Sequence, residues 1–450
     1  MVENTVLKKI REEGRSFFKA VSCANETVYL ILLSLYVAIY FLLKFGWAVH
    51  MYRIDEYIRY SLLGIVMWGS AIYLFYVIAS WRSMWEQNIQ LIVTAVLILA
   101  ATWFFSKRMS TNLYGVIMDV FFCVMACGKD FRKMLHCILM VAVVMLVIAG
   151  MGLPLGYTWD MVKPHNVSPG HSLGINYPNT WGYLAFLAMM ITWYLYLRFR
   201  PLLTSVFFWG VSVFMYRFIS CRTISLLGVV FPVLAFAVDL IEKKMKERPA
   251  EKQGSFAGKA AAFLVTMMPF GTFAFMMAVS MQYKWLHKHY YYTWFHNFAM
   301  RFVQGGLYFK TYGLPLVGNP YRSNRITYIN VNGDFLEVGI LDSSFASYII
   351  MRGILWIMYT LAWLCAAIWK ALKNRDYAIP FLEFIILVFA MMERPGLEMW
   401  YNFILLYPLA KVAGGPAAAA ALDENSADKT EDSTGTDASG SGGSGSCTTE

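Results

Sequence analysis

Charge is scarce in this sequence. Only 15% of its 450 residues are Asp, Glu, Lys or Arg, against roughly 25% in an ordinary soluble domain. Hydrophobic residues reach 58% and mean hydropathy is +0.50. A chain so poor in charge does not read as the two or three soluble domains that its length would otherwise suggest. Cysteine pairing is missing too. The seven cysteines are scattered, most of them in apolar stretches (Cys23, Cys123, Cys127, Cys137, Cys221 and Cys365), with Cys447 in the tail. No Cys-x-x-Cys occurs, so neither a zinc knuckle nor a disulfide framework is supported. His287, His289 and His296 match no metal-site spacing and have no carboxylate nearby, so neither a metal nor any other cofactor is expected. No internal repeat of the transporter kind is present. No cleavage site precedes the first apolar block, which reads as an uncleaved anchor.

What the chain has instead is long apolar blocks, such as 30–43, 89–105 and 134–150. About 20 apolar residues span a bilayer. The expected fold is therefore all-α, a polytopic helical membrane protein with about twelve transmembrane helices. The spans fall near 27–46, 61–80, 89–106, 112–127, 134–152, 180–197, 201–217, 223–240, 260–281, 343–369, 378–392 and 399–411. Residues 1–411 form the membrane domain, and 412–450 read as a disordered acidic tail.

The net charge of +10 is unevenly spread: residues 412–450 hold seven acids and one lysine, so the rest of the chain carries +16. On a soluble chain this surplus would point to nucleic acid; here it reports orientation, and no nucleic-acid partner is expected. Lysine and arginine gather in the N-terminal segment and in loops 128–133, 241–259 and 370–377. With twelve spans all four lie on one side, which the positive-inside rule makes cytoplasmic, along with both termini. Loops 153–179 and 282–342 then lie outside. Within the larger one, the Tyr290–Trp294 run reads as an interfacial aromatic belt, or as a surface for stacking on sugars. Trp294–Tyr312 reads as an amphipathic helix lying on the membrane surface.

Charges at or inside the apolar spans are costly and point to function. Arg217 and Arg222 flank a short outer turn. Arg352 lies within the tenth span, Glu393 ends the eleventh, Asp342 opens the tenth, and Asp119 sits mid-span. The plainer reading has Arg217 and Arg394 reaching to the interface and Asp119 pairing with a neighbouring helix. The sharper one is chemical: arginine's planar fork binds phosphate oxygens at any physiological pH. Fixed donors of this kind stabilise a pyrophosphate leaving group without a metal. Asp342, Glu393 or His171 would orient or deprotonate an acceptor hydroxyl.

At these positions the sequence resembles the bacterial O-antigen polymerase-like proteins of the O-antigen ligase superfamily. The stretch His171-Ser-Leu-Gly-Ile-Asn-Tyr-Pro-Asn179-Thr-Trp-Gly182 is similar to their loop-to-helix element, and Phe218-Ile-Ser-Cys-Arg222-Thr to their Ser-Arg-Thr turn. Arg301–Gly318 resembles their outer-loop helix. Leu341-Asp342-Ser-Ser-Phe345 followed by Arg352-Gly-Ile resembles their late-span start, and Glu393 and Asn402 match a late Glu and Asn.

The resemblance implies a glycosyltransferase-C-like fold and polymerisation of undecaprenyl-pyrophosphate-linked repeat units on the outer leaflet of the bacterial cytoplasmic membrane. Arg222 and Arg301 would contact the donor pyrophosphate, with Arg217, Arg352, Asn179 and Asn402 as further substrate-binding positions. The partners implied are lipid-linked oligosaccharide donor and acceptor, membrane lipids, a flippase and a chain-length regulator. Two rivals stand beside this reading. One is a ligase that transfers a finished glycan, although ligases carry histidine where this chain has Asp342. The other is a flippase that moves the lipid-linked unit without bond chemistry.

Overall fold

The apolar blocks fold as helices in a computed structural model that describes residues 26–42, 45, 64, 68–69, 113–160, 162, 170–175, 178–247, 256–290, 296–316, 326–331, 334–338 and 343–412. The helices are α1 (Glu26–Leu42), α2 (Leu113–Met125), α3 (Phe131–Gly152), α4 (Pro178–Thr192), α5 (Pro201–Phe214), α6 (Arg222–Glu247), α7 (Phe256–Thr266), α8 (Met268–Met281), α9 (Tyr283–Tyr290), α10 (His296–Tyr312), α11 (Ser344–Arg352), α12 (Ile354–Lys373) and α13 (Ala378–Met392). Wide π-type turns extend α4 to Leu197 and α5 to Ile219. Between α10 and α11, β1 (Ile326–Val331) and β2 (Asp334–Val338) pair antiparallel, with Val331 opposite Asp334. Apart from residues 64 and 68–69, the expected spans 61–80 and 89–106 lie outside the described residues, as do loop 47–60, the basic N-terminal segment, Asp342 and tail residues 413–450. The chain divides between Lys411 and Val412.

Among the described residues, five helices are long and apolar enough to cross a membrane: α3, α4 and α5 with their π turns, α6 and α12. The α7–α8 pair is a sixth if its bent halves count as one span, and α1 and α13 are shorter apolar helices. On α3, Met140, Val143, Val144, Val147, Ile148 and Met151 are exposed, whereas Leu135, Ile138, Ala142, Met145 and Ala149 are buried. A helix apolar on both faces, with one facing outward, suits lipid rather than water. The chain is thus suited to span a membrane.

Three expected spans differ in form. The tenth breaks at Gly353, whose φ of 89° and ψ of 166° fit glycine alone. Two helices meet there, and the free amides of Ile354 and Leu355 donate to the Pro315 and Leu316 carbonyls at 3.0 and 3.1 Å. The ninth is bent by 55° between α7 and α8, where Pro269 has no amide to carry the hydrogen-bond ladder onward. Residues 399–411 are not a helix: they hold a single 3-10 turn, Phe403–Leu406, amid irregular backbone. The segment's apolar character reflects burial in protein. Met399, Trp400, Tyr401, Phe403, Ile404 and Leu406 are all inaccessible or nearly so.

Irregular backbone buried away from water requires partners from the protein, and α12 supplies them. Lys370 Nζ donates to the carbonyls of Tyr407, Pro408 and Ala410, and Trp363 Nε1 donates to that of Leu405 at 2.8 Å. The helix expected over Trp294–Tyr312 forms as α10, and its buried face, with Phe302, Val303, Leu307 and Tyr308, packs on α8, α9 and α11. Gly306 permits this, since a side chain there would fall 2.1 Å from the Ser280 carbonyl oxygen.

The basic loops share one end of the bundle. Glu26, at the start of α1, accepts from the Asp130 amide and pairs with Lys133 at 3.0 Å. The Lys411 amide donates to the Lys129 carbonyl, and that of Phe131 to Lys411. Arg198, after α4, pairs with Glu242 of α6 and lies 3.6 Å from both Asp239 and Asp376. Burial raises the Asp376 carboxyl, against hydrogen bonding from Tyr194 and the charge of Arg198. Loops 128–133 and 370–377 and the start of 241–259 are therefore neighbours, as their lysines and arginines predict.

Candidate functional site

At the opposite end, five helices meet at Glu393. Nearly every residue of α13 is buried, so the helix carries Glu393, just past its last turn, into an interior position 2% exposed. Pro395 lies in the 3-10 turn that follows. Tyr183, from the second turn of α4, donates its hydroxyl proton to Glu393 Oε2. Thr223, in the first turn of α6, also hydrogen-bonds the carboxylate. Arg301 of α10 brings Nη2 to 3.9 Å from Oε1. Ser344, which opens α11, places its Oγ 2.6 Å from the carbonyl oxygens of both Glu393 and Arg394.

Arg222 is rooted beside this cluster. Its neighbour Thr223 reaches Glu393, and its other neighbour, Cys221, backs onto Gly182 of α4. The Arg222 side chain is exposed, and no ion pair holds it among the described residues. Arg217 is exposed on the π turn that ends α5. Between them Ser220 takes φ 57°, the left-handed step that reverses the chain. Arg394 contacts the Met351 sulfur at 3.6 Å.

Loop 153–175 adds a second polar group. His171 Nδ1 lies 2.5 Å from Asp160 Oδ2, while Asp160 Oδ1 accepts from the amides of Ser172 and Leu173 at 2.7 and 3.0 Å. The His171 amide donates to the Phe218 carbonyl at 2.9 Å, which ties this loop to the turn that bears Arg217 and Arg222. Partial burial would raise the Asp160 carboxyl, but the His171 hydrogen bond and the two backbone amides outweigh it and hold the group below the ordinary aspartate value.

The sequence candidates divide accordingly. His171, Arg217, Arg222, Arg301 and Glu393 belong to elements at this end. Asn179 is half-buried, one helical turn before Tyr183 on the same face of α4. Arg352 points elsewhere: it is buried, lies 3.8 Å from Asp119 and stacks over Tyr348 at 4.1 Å. Asp119 also accepts from Tyr36 at 2.7 Å, which is the helix-to-helix pairing expected of it. A cavity of about 30 Å³ adjoins this pair, with room for about two waters. Asn402 is fully buried; it caps the 3-10 turn through the Ile404 amide and reaches Glu383 and the Gly396 carbonyl at 3.4 Å. Asp342 lies outside the described residues.

Tyr183, Thr223, Ser344 and Asp160 are partners that the sequence reading did not single out. Three of them left a faint signal. Thr223 follows Arg222, Ser344 lies two residues after Asp342, and Tyr183 lies four after Asn179. Asp160 is eleven residues before His171, and only the folded loop joins them.

Chemically, this end presents Arg217, Arg222, Arg301 and Arg394, with Arg301 beside the Glu393 carboxylate and His171 beside that of Asp160, an arrangement suited to a polyanion. Among the described residues no three His, Cys, Asp or Glu side chains are grouped to hold a metal ion. Comparison of the chain with family models, curated proteins and solved structures yields no match.

Proposed function

We propose that this chain is a membrane glycosyltransferase that polymerises undecaprenyl-pyrophosphate-linked oligosaccharide repeat units on the outer leaflet of the bacterial cytoplasmic membrane. The observation that carries this reading is the convergence of α4, α6, α10, α11 and α13 on Glu393, with Arg301 held beside the carboxylate and Arg222, the chain neighbour of Thr223, left exposed. Glu393 orients Arg301 and offsets part of its charge. Arg222, Arg301 and Arg217 grip the donor pyrophosphate. Their fixed forks stabilise the negative charge that grows on the leaving group, so the chemistry needs no divalent ion. The acceptor is the non-reducing end of a second lipid-linked glycan, and direct displacement inverts the anomeric carbon. In this reading the chain makes twelve crossings of glycosyltransferase-C-like arrangement, the last one irregular. The basic end faces the cytoplasm with both termini, and the arginine end faces out.

The test is made in cells whose polymer depends on this chain. Arg222→Ala or Arg301→Ala removes a donor worth about 100- to 1000-fold in rate, and lysine rescues poorly because it lacks the bidentate fork. Such cells should accumulate the single-repeat lipid intermediate on the outer leaflet, whereas a failed flippase strands it inside. Normal polymer length in both alanine variants, at normal protein level, ends the proposal.

A further inference from the structure

The proposed reaction leaves one proton unassigned, that of the acceptor hydroxyl, for which His171, Glu393 and Asp342 are candidates by sequence. We infer that His171 takes this proton and that Asp160 holds its imidazole in the tautomer the task requires. The inference rests on the polymerase reading and deepens it.

The geometry is that of an oriented base. His171 Nδ1 faces Asp160 Oδ2 at 2.5 Å. With the carboxylate ionised, the hydrogen between them sits on Nδ1, and Nε2 keeps its lone pair. Among the described residues the ring makes no other hydrogen bond. Asp160 is itself held from the backbone side: its second oxygen accepts from Ser172 and Leu173, which fixes the turn where Leu173 takes φ 46°. A histidine that served packing alone would be buried, but this side chain is 37% exposed. Its amide donates to Phe218, so the ring hangs from the turn that carries Arg217 and Arg222.

Glu393 is poorly placed for the same task. It is buried and already receives Tyr183, Thr223 and the charge of Arg301. Buried and already engaged by these three groups, it has little surface open to an acceptor hydroxyl.

The acceptor hydroxyl oxygen attacks the anomeric carbon of the donor while His171 Nε2 takes the hydroxyl proton. The new glycosidic C–O bond forms as the bond from the anomeric carbon to the phosphate oxygen breaks. That electron pair leaves with undecaprenyl pyrophosphate at the arginines, and the imidazolium then returns its proton to water. Asp160 touches neither sugar; it is a positioning residue.

The experiment measures kcat and KM of the purified full-length protein on a lipid-linked repeat unit, with wild type, His171→Gly and Asp160→Asn. Asparagine retains an oxygen for the Ser172 and Leu173 amides but turns an NH₂ group toward Nδ1, which moves the ring proton to Nε2. The loop is kept and the base is lost. Both variants should lose about 10²- to 10⁴-fold in kcat, with KM for the lipid-linked unit little changed. Added imidazole should restore part of the His171→Gly rate and none of the Asp160→Asn rate. If Asp160→Asn fails to fold, the imidazole rescue of His171→Gly decides alone. A His171→Gly enzyme that keeps its kcat, or loses it without rescue, overturns the dyad while the polymerase reading survives. A wild-type protein that never lengthens the glycan overturns both.

Discussion

Individual side chains at the arginine end do two kinds of work. Glu393 and Asp160 are carboxyl groups whose partners are fixed, and each holds an arginine or an imidazole in one orientation. Arg217 and Arg222 are exposed and free to meet a ligand. Asp160 lends itself to a test at this scale. Its carboxyl is held below the ordinary value in the folded protein, and an unperturbed aspartate titrates near about 3.9. A depressed folded value means that its contribution is complete above the ordinary value and is lost as pH falls through the lower, folded one. In hydrogen exchange, the Ser172 and Leu173 amides should therefore stay protected as pH falls through about 3.9, and open only below it. Loss of protection well above that pH would show that the carboxylate does not hold the loop.

At this scale the sequence was legible where a charge interrupted an apolar run. Glu393 and Arg222 stand out that way, whereas Arg301 is marked only by the family resemblance. Asp160 does not, because it lies in a polar loop where an aspartate attracts no notice. Arg352 stood out equally well and proved to be paired with Asp119. An intramembrane charge announces that it has a partner; it does not say whether that partner is protein or substrate.

Helices were legible wherever the apolar run was unbroken by geometry. The ranges of α3, α6 and α13 follow the hydrophobic blocks closely. The breaks within the ninth and tenth spans leave no mark, because one glycine or proline hardly changes the mean hydropathy of an apolar run. Residues 399–411 misled for a related reason, since burial in protein and burial in lipid select the same residues. Gly353 is where an element-scale prediction applies. Its φ of 89° and ψ of 166° are closed to other residues, so Gly353→Ala should cost about 1–3 kcal/mol and lower the unfolding temperature in detergent. Gly210, inside α5 with open space around it, provides the contrast: Gly210→Ala should stabilise by about 0.5–1 kcal/mol. Equal effects from the two substitutions would remove the argument that the Gly353 break is built into the backbone.

For the whole molecule, the lysines and arginines of the loops carried most of what could be read. Loops distant in sequence lie together at the basic end, where Arg198, Glu242 and Asp376 meet. Sequence cannot show which helices touch, because that depends on the facing side chains of several spans at once. The proposed orientation predicts a labelling pattern in a cysteine-free background. A cysteine at Lys310, exposed on α10, should react with a membrane-impermeant thiol reagent in intact cells, and one at Lys244, exposed on α6, only after permeabilisation. The reverse pattern would put the arginine end inside and remove it from the outer leaflet.

The central claim is that this chain joins lipid-linked glycans. It is tested most directly by giving the purified protein, in vesicles, an undecaprenyl-pyrophosphate-linked repeat unit in the presence of a chelator. The account predicts a ladder of products longer by one repeat at each step, with one undecaprenyl pyrophosphate released for each new linkage. A unit that stays at its original length, or that crosses the bilayer unchanged, would contradict it.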